Sequence, residues 1–258
     1  MTGDAAEVLS HLEGGVLTLT LNRAARKNAL TEAMYRTLAD ALTHAATQDE
    51  VRVVVLQGQP NVFSAGNDVQ DFLQSPPNHP QAPVFDFLRA LATFPKPLLA
   101  SVCGPAVGIG TTMLLHCDLV FAGDNALFSM PFVNLGLCPE AASSLLLPKL
   151  MGHQRASEVL LLGDPFAAEA ALEIGLVNRV LPPTEVNGYA QAQARKLAAK
   201  PLSSLIETKR LMKGHEQAMV MQKMAEEGAS FGRMLNEPAA KEAFGAFMEK
   251  RKPDFSKL

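Results

Sequence analysis

The stretch LGLCPEAASS, residues 135–144, contains Glu140, the only formally charged residue between Asp124 and Lys149. Its neighbours are apolar or small: Leu135, Leu137 and Cys138 before it, Ala141 and Ala142 after it. A carboxylate in such a run has two possible roles. At the surface it opens the helix after Pro139, where negative charge is favourable. Buried, it is costly to ionise, because apolar surroundings disfavour the charged form. Two further stretches bring backbone N–H groups toward a ligand. In FSAGND (63–68), Gly66 permits close approach and can turn the amide of Asn67 outward; the same hexapeptide also reads as a plain glycine turn with an Asn/Asp helix cap. In CGPAVGIGTT (103–112), Gly108 and Gly110 bracket Ile109 at a turn entering a helix, where free N–H groups favour negative charge. That stretch lacks both the Lys-Ser/Thr of a Walker loop and the GxGxxG of a dinucleotide fold.

Bulk properties narrow the function classes. A net charge of -3 over 258 residues gives no electrostatic case for nucleic acid or an anionic membrane. No apolar run is long enough to span a bilayer, and MTGDAAEVLS is not a signal peptide, since an early acid replaces the basic region. Cys103, Cys117 and Cys138 are odd in number and widely spaced, as expected for reduced thiols of an intracellular protein. No His/Cys/Asp cluster has metal-ligand spacing, so no metal is expected. His116 reads as a hydrogen-bonded structural residue and His153 as the start of a helix. The terminal Ser256-Lys257-Leu258 is a peroxisomal address in a eukaryote and carries no meaning in a bacterium, where the protein would be cytoplasmic.

The elements that position these stretches follow from periodicity. GVLTLTLN (15–22) alternates as a partly covered strand, and VRVVVLQG (51–58), PLLASVCG (97–104) and CDLVFAG (117–123) read as buried strands. Residues 31–49 have helical spacing behind a Thr31 cap. PAVGIGTTMLLH (105–116) is a glycine turn running into a helix. The result is an α/β fold with a mostly parallel sheet and helices on its faces. LQSPPNHPQAP (73–83) reads as a mobile loop. From Gln154 the strand signal nearly disappears, and amphipathic helices suggest an appended helical layer. The Met-rich helix 219–234 reads as core or interface.

NRAARKNAL, FSAGNDV, the long run GPAVGIGTTMLLHCDLVFAGDNALFSMPFVNLGLCPE and the terminal KRKPDF occur in an order that resembles the crotonase (enoyl-CoA hydratase/isomerase) superfamily. The resemblance implies a spiral core of repeated ββα units over residues 1–195. It also implies a helical trimerisation region over 196–258 and a homotrimer or hexamer. It implies an acyl-CoA thioester as substrate, so that coenzyme A is part of the substrate and no separate cofactor is needed. By the same likeness the backbone N–H groups of Asn67 and Ile109 form an oxyanion hole, worth several kcal/mol toward a developing enolate. Arg26 and Lys27 would meet the 3′-phosphate of CoA, and the Ala29 and Ala65 backbones its adenine. Ser64, Gly66, Asp68, Gly108 and Phe132 complete the implied binding residues. Arg26 and Lys27 also read as solvated loop charges, and Asp68 as a helix cap.

Hydratases of this superfamily use two glutamates on one water. This chain has Thr112 and Phe132 at those positions, which disfavours hydration. Glu140 instead resembles the base of the peroxisomal-type Δ3,Δ2-enoyl-CoA isomerases, although Ala141 stands where that subgroup commonly has Gly. A single carboxylate suffices to move a proton from C2 to C4 of a 3-enoyl thioester. A different reaction on an acyl-CoA, and a catalytically silent CoA-thioester-binding member, are the alternatives.

Overall fold

The computed structural model describes residues 6–75 and 82–258. Strand β1 (Val8–Glu13) and β2 (Val16–Leu21) lead to α1 (Glu32–Thr47) and β3 (Val53–Gln57). Next come α2 (Val69–Gln74), α3 (Pro83–Thr93), β4 (Leu98–Val102), β5 (Pro105–Val107), α4 (Ile109–Thr112), β6 (Leu119–Gly123) and β7 (Leu127–Ser129). The second half holds α5 (Ser143–Met151), α6 (His153–Ser157), β8 (Phe166–Ala167), α7 (Ala168–Glu173) and β9 (Arg179–Leu181). It ends with α8 (Pro183–Ala198), α9 (Leu202–Lys213), α10 (Gln217–Met234) and α11 (Pro238–Met248).

Six strands form the main sheet in the order β1-β2-β3-β4-β6-β9, parallel throughout except for the β1–β2 hairpin. β3 shows why its sequence is continuously apolar. Val54 and Leu56 point into the core shared with α1 and α3, whereas Val53 and Val55 point to the opposite face, against Val186, Ala190 and Ala194 of α8. Both faces are covered, so Val53 to Leu56 are all apolar, and only the last residue, the half-buried Gln57, is polar. α8 packs directly on the sheet, and its alanines, spaced four residues apart, let it lie close. β1 was not anticipated because only Val8 is buried in it; it is a polar edge strand with no periodicity to read. β8 and β9, of two and three residues, are too short to carry a pattern.

A second layer matters more for the site. β5 pairs parallel with β7, and β7 antiparallel with β8. Single bridges extend this layer outward, Ser64 beside Ala106 and Leu30 beside Asn67. Residues 28–30, 63–67 and 105–107 thus lie side by side. Thr31 caps α1 by accepting from the Met34 amide at 3.3 Å. Of the proline-bearing stretch 73–83, Leu73 and Gln74 finish α2 and Pro83 begins α3; residues 76–81 lie outside the described residues, as do 1–5 of the N-terminal stretch.

The α8–sheet contact has no room for a larger side chain. Ala190→Leu should destabilise the protein by about 1–3 kcal/mol through overpacking, read by urea denaturation; an unchanged midpoint would contradict the close-packed interface.

Candidate active site

Two glycine-bearing segments meet at one cavity. The amides of Phe63 and Ser64 both donate to Pro105 O (3.2 and 3.0 Å), and the Val107 amide donates to Ser64 O at 2.9 Å. This ladder leaves residues 65–67 and 108–109 on the same wall. Gly66 has φ +88°, and a Cβ there would sit 2.9 Å from Val107 O, so only glycine fits. Ser64 is fully buried; its hydroxyl donates to Asn28 O at 2.9 Å and accepts from the Gly66 amide at 3.2 Å. Among the described residues the Asn67 and Ile109 amides donate to no protein acceptor.

The cavity has a volume of about 850 Å³. Arg26, Lys27, Ala29, Ala65, Gly66, Asn67, Asp68, Gly108, Ile109 and Phe132, all anticipated from the sequence, line it. Its inner wall is apolar, with Phe72, Leu137, Phe231 and Phe244; its rim is exposed and basic, with Arg26, Lys27, Lys250 and Arg251. Arg251 is paired with Glu242 and Glu249, while Lys27 and Lys250 have no carboxylate partner among the described residues. Ser64 does not line the cavity. Its hydrogen bonds are spent inside the protein, where they shape the loop. Asp68 caps α2, accepting from the Gln70 and Asp71 amides at 3.0 and 3.2 Å, and pairs with Arg23 at 2.7 Å. Burial opposes its charge, but Arg23 and these amides outweigh that effect and hold its pKa low.

Glu140 does not line this cavity either. Its carboxylate accepts from the hydroxyl of Thr112, the last residue of α4, at 2.5 Å. The residue keeps part of its surface open, yet protein crowds the carboxylate, and burial pushes its pKa up to about 7. The Thr112 hydrogen bond opposes this rise, and the negative charge of Glu227 adds to it. Glu140 is close enough to act on Tyr35, whose pKa is raised well above the usual value by burial and then by Glu140. The Tyr35 hydroxyl donates to the Asn67 side chain, so the carboxylate and the Asn67 segment share one neighbourhood. His116 donates through Nε2 to Ala141 O at 2.9 Å, and burial lowers its pKa to about 4, keeping it neutral.

The sequence reading missed three residues. Asn28, fully buried with φ +53°, accepts from the Arg23 amide at 2.7 Å and donates to Gln59 (2.8 Å) and Phe63 O (3.0 Å). Asn tolerates the left-handed backbone, and its place in RKNAL was the available signal. Tyr35 sits on the buried face of α1. Glu227, on α10, is 5% exposed and holds the turn after Glu140; nothing local marks it. Among the described residues no three His, Cys, Asp or Glu side chains come together as metal ligands, and no helix is long and apolar enough to cross a membrane.

The family model for enoyl-CoA hydratase/isomerase matches residues 11–257. The chain belongs to the enoyl-CoA hydratase/isomerase family. Within that family it is 37% identical to enoyl-CoA delta isomerase 2 of Rattus norvegicus, over 81% of this chain and 55% of the rat protein, so it spans about half of that relative's length. It is 33% identical to 2,3-dehydroadipyl-CoA hydratase of Escherichia coli, over 97% of this chain and 98% of the relative. The solved structure of Pseudomonas aeruginosa OdaA is similar at a TM-score of 0.92 and 48% identity, covering 95% of this chain and 99% of that one. The mixed α/β architecture is thus the crotonase fold, whereas the named relatives include both an isomerase and a hydratase.

Asn28 should be the keystone of the glycine-bearing wall. Asn28→Ala loses buried hydrogen bonds and strains the left-handed backbone, costing about 2–4 kcal/mol; Asn28→Gly keeps the backbone and should cost less. Chemical denaturation reads both, and the reverse ranking would contradict this account.

Proposed function

We propose that the protein is an acyl-CoA double-bond isomerase, converting a 3-enoyl thioester to the trans-2-enoyl thioester with Glu140 as its single base. The observation that carries this reading is the pair Thr112 and Glu140. Where a hydratase of the family would hold its first glutamate, the Thr112 hydroxyl instead donates to the Glu140 carboxylate at 2.5 Å. Where the second acid would stand, Phe132 presents an apolar ring to the cavity. One carboxylate remains, in surroundings that raise its pKa to about 7, close to that of an effective general base at neutral pH.

The chemistry follows in sequence. The Asn67 and Ile109 amides donate hydrogen bonds to the thioester oxygen, which acidifies the C2–H bond and stabilises the dienolate formed when that proton leaves. Glu140 takes the C2 proton, becomes neutral, and returns it to C4. The thioester oxygen regains carbonyl character and the double bond now lies between C2 and C3. Apolar walls keep water from competing for the proton. The basic rim of Arg26, Lys27 and Lys250 suits the phosphates of coenzyme A, which enters and leaves as part of the substrate. A homotrimer or hexamer belongs to the same proposal; exposed Leu211, Met212 and Met219 on α9 and α10 are apolar surface that such contacts would cover.

Glu140→Gln should lower kcat for 3-enoyl-CoA isomerisation by about 10²–10⁴-fold. Near-wild-type turnover would exclude Glu140 as the base. In the wild type, kcat/KM should rise with pH and level off above about 7, because the base must be ionised. The same ionisation has a structural cost. The folded carboxyl keeps its proton to about pH 7 while the unfolded one loses it near 4.5, so stability falls as pH rises across that window. Thermal melts should therefore show Glu140→Gln gaining stability over wild type at pH 8, by up to ~3 kcal/mol, and little at pH 4.

A further inference from the structure

Glu227 lies 87 residues beyond Glu140 in the chain, yet its carboxylate is built into the turn that carries Glu140. Oε2 accepts from the Ala142 amide at 2.6 Å; Oε1 accepts from the Ser144 amide at 2.9 Å and the Ser144 hydroxyl at 2.5 Å. Cys138 donates its thiol to the backbone oxygen of Glu227 at 3.7 Å. One residue of α10 thus grips the chain on both sides of Glu140. The gripped turn is strained, since Ala141 and Ala142 both have positive φ, +60° and +57°, without being glycine. Such a backbone persists where its surroundings over-determine it. His116 supplies the remaining restraint at Ala141 O. A lone helix cap would not need this much. α5 begins at Ser143, and an ordinary Ser or Asp at position 142 would serve a helix start. Here Ala142 has no capping side chain, and a buried carboxylate is imported from another helix.

We propose that Glu227 is a positioning residue for the reaction, fixing the Ala141–Ser144 turn so that the Glu140 carboxylate is aimed at the substrate and held beside a second negative charge. The proposal rests on the reading of Glu140 as the base. The groups facing the pair are few. Burial raises the Glu227 pKa; the Ser144 and Ala142 donors and Lys223, one turn earlier on α10, oppose that rise and favour its charge. Thr112 faces Glu140 directly, and Tyr35 and Cys138 lie within range of its charge. Arg233 acts on Cys138, and His116 stays neutral. Tyr35 and Cys138 are both held in their neutral forms, which leaves Glu227 as the negative charge that acts on Glu140. Because α10 also supplies Phe231 to the cavity wall, the same helix sets the pocket and the base.

The test is Glu227→Gln beside Glu140→Gln and wild type, with kcat, KM and the pH profile of 3-enoyl-CoA isomerisation. Glu227→Gln should lower kcat about 10- to 100-fold through misplacement of the base, with KM little changed. It should also move the acid limb of kcat/KM to lower pH, because the charge that disfavours Glu140 ionisation is gone. Glu227→Asp keeps the charge and should keep the limb in place. An unchanged kcat, or a lower kcat with the limb unmoved in Glu227→Gln, overturns the proposal. If Glu227→Gln does not fold, Ser144→Ala decides: a several-fold loss of kcat at constant KM supports it, and wild-type kcat overturns it. Full activity in Glu140→Gln would instead be a failure of the base assignment.

Discussion

The site depends on keeping a carboxylate where water is scarce. Moving a charge out of water is expensive, and a protein that does so must answer the cost with hydrogen bonds or accept a raised pKa. At Glu140 the answer is deliberately incomplete. One hydroxyl, from Thr112, donates to it, and no cation pairs with it among the described residues. Contrast Asp68, in the cavity wall itself, which has Arg23 and two amides and is held as a firm anion. The same side-chain chemistry gives a firm anion in one place and a carboxyl with a pKa of about 7 in the other, because the number of donors differs.

The rest of the fold is arranged around that constraint. The main sheet, closed on one face by α1 and α3 and on the other by α8, is a rigid platform. From it the 63–67 and 105–109 segments project as a short ladder whose residues Ala65–Asn67 and Val107–Ile109 line one cavity. Asn28 braces this ladder from behind with bonds to three separate segments. The C-terminal helices close the far wall with Phe231 and Phe244 and, through Glu227, reach back to the turn of Glu140. A helical region that looks like packing from its sequence thereby takes part in setting the site.

How much of this could be read in advance follows from the range of the interactions. Glycines at 66 and 108, the buried strands and the lone acid in an apolar run are local signals, and the residues they mark do converge on one region. The alanines of α8 have an amphipathic spacing whatever they pack against; only the β3 contacts show which surface they cover. β1 had one buried residue and so no pattern. Ser64 sits in a motif with residues that line the cavity, and nothing in the motif distinguishes a side chain that faces the cavity from one that faces inward. Glu227 belongs to an ordinary charged stretch of helix, and its burial exists only once α10 has docked on the 138–144 turn.

The central claim is that one enclosed carboxylate carries a proton between two carbons of the same substrate molecule. It is tested most directly with a 3-enoyl-CoA deuterated at C2, turned over in ordinary water, with the deuterium content of C4 in the product measured by mass spectrometry or NMR. The account predicts that a substantial share of the deuterium removed from C2 is found at C4, since a single base in an apolar site returns what it took. Product carrying only solvent hydrogen at C4 from the first turnovers onward would contradict it, and would point to separate groups, or to water, handling the two ends of the transfer.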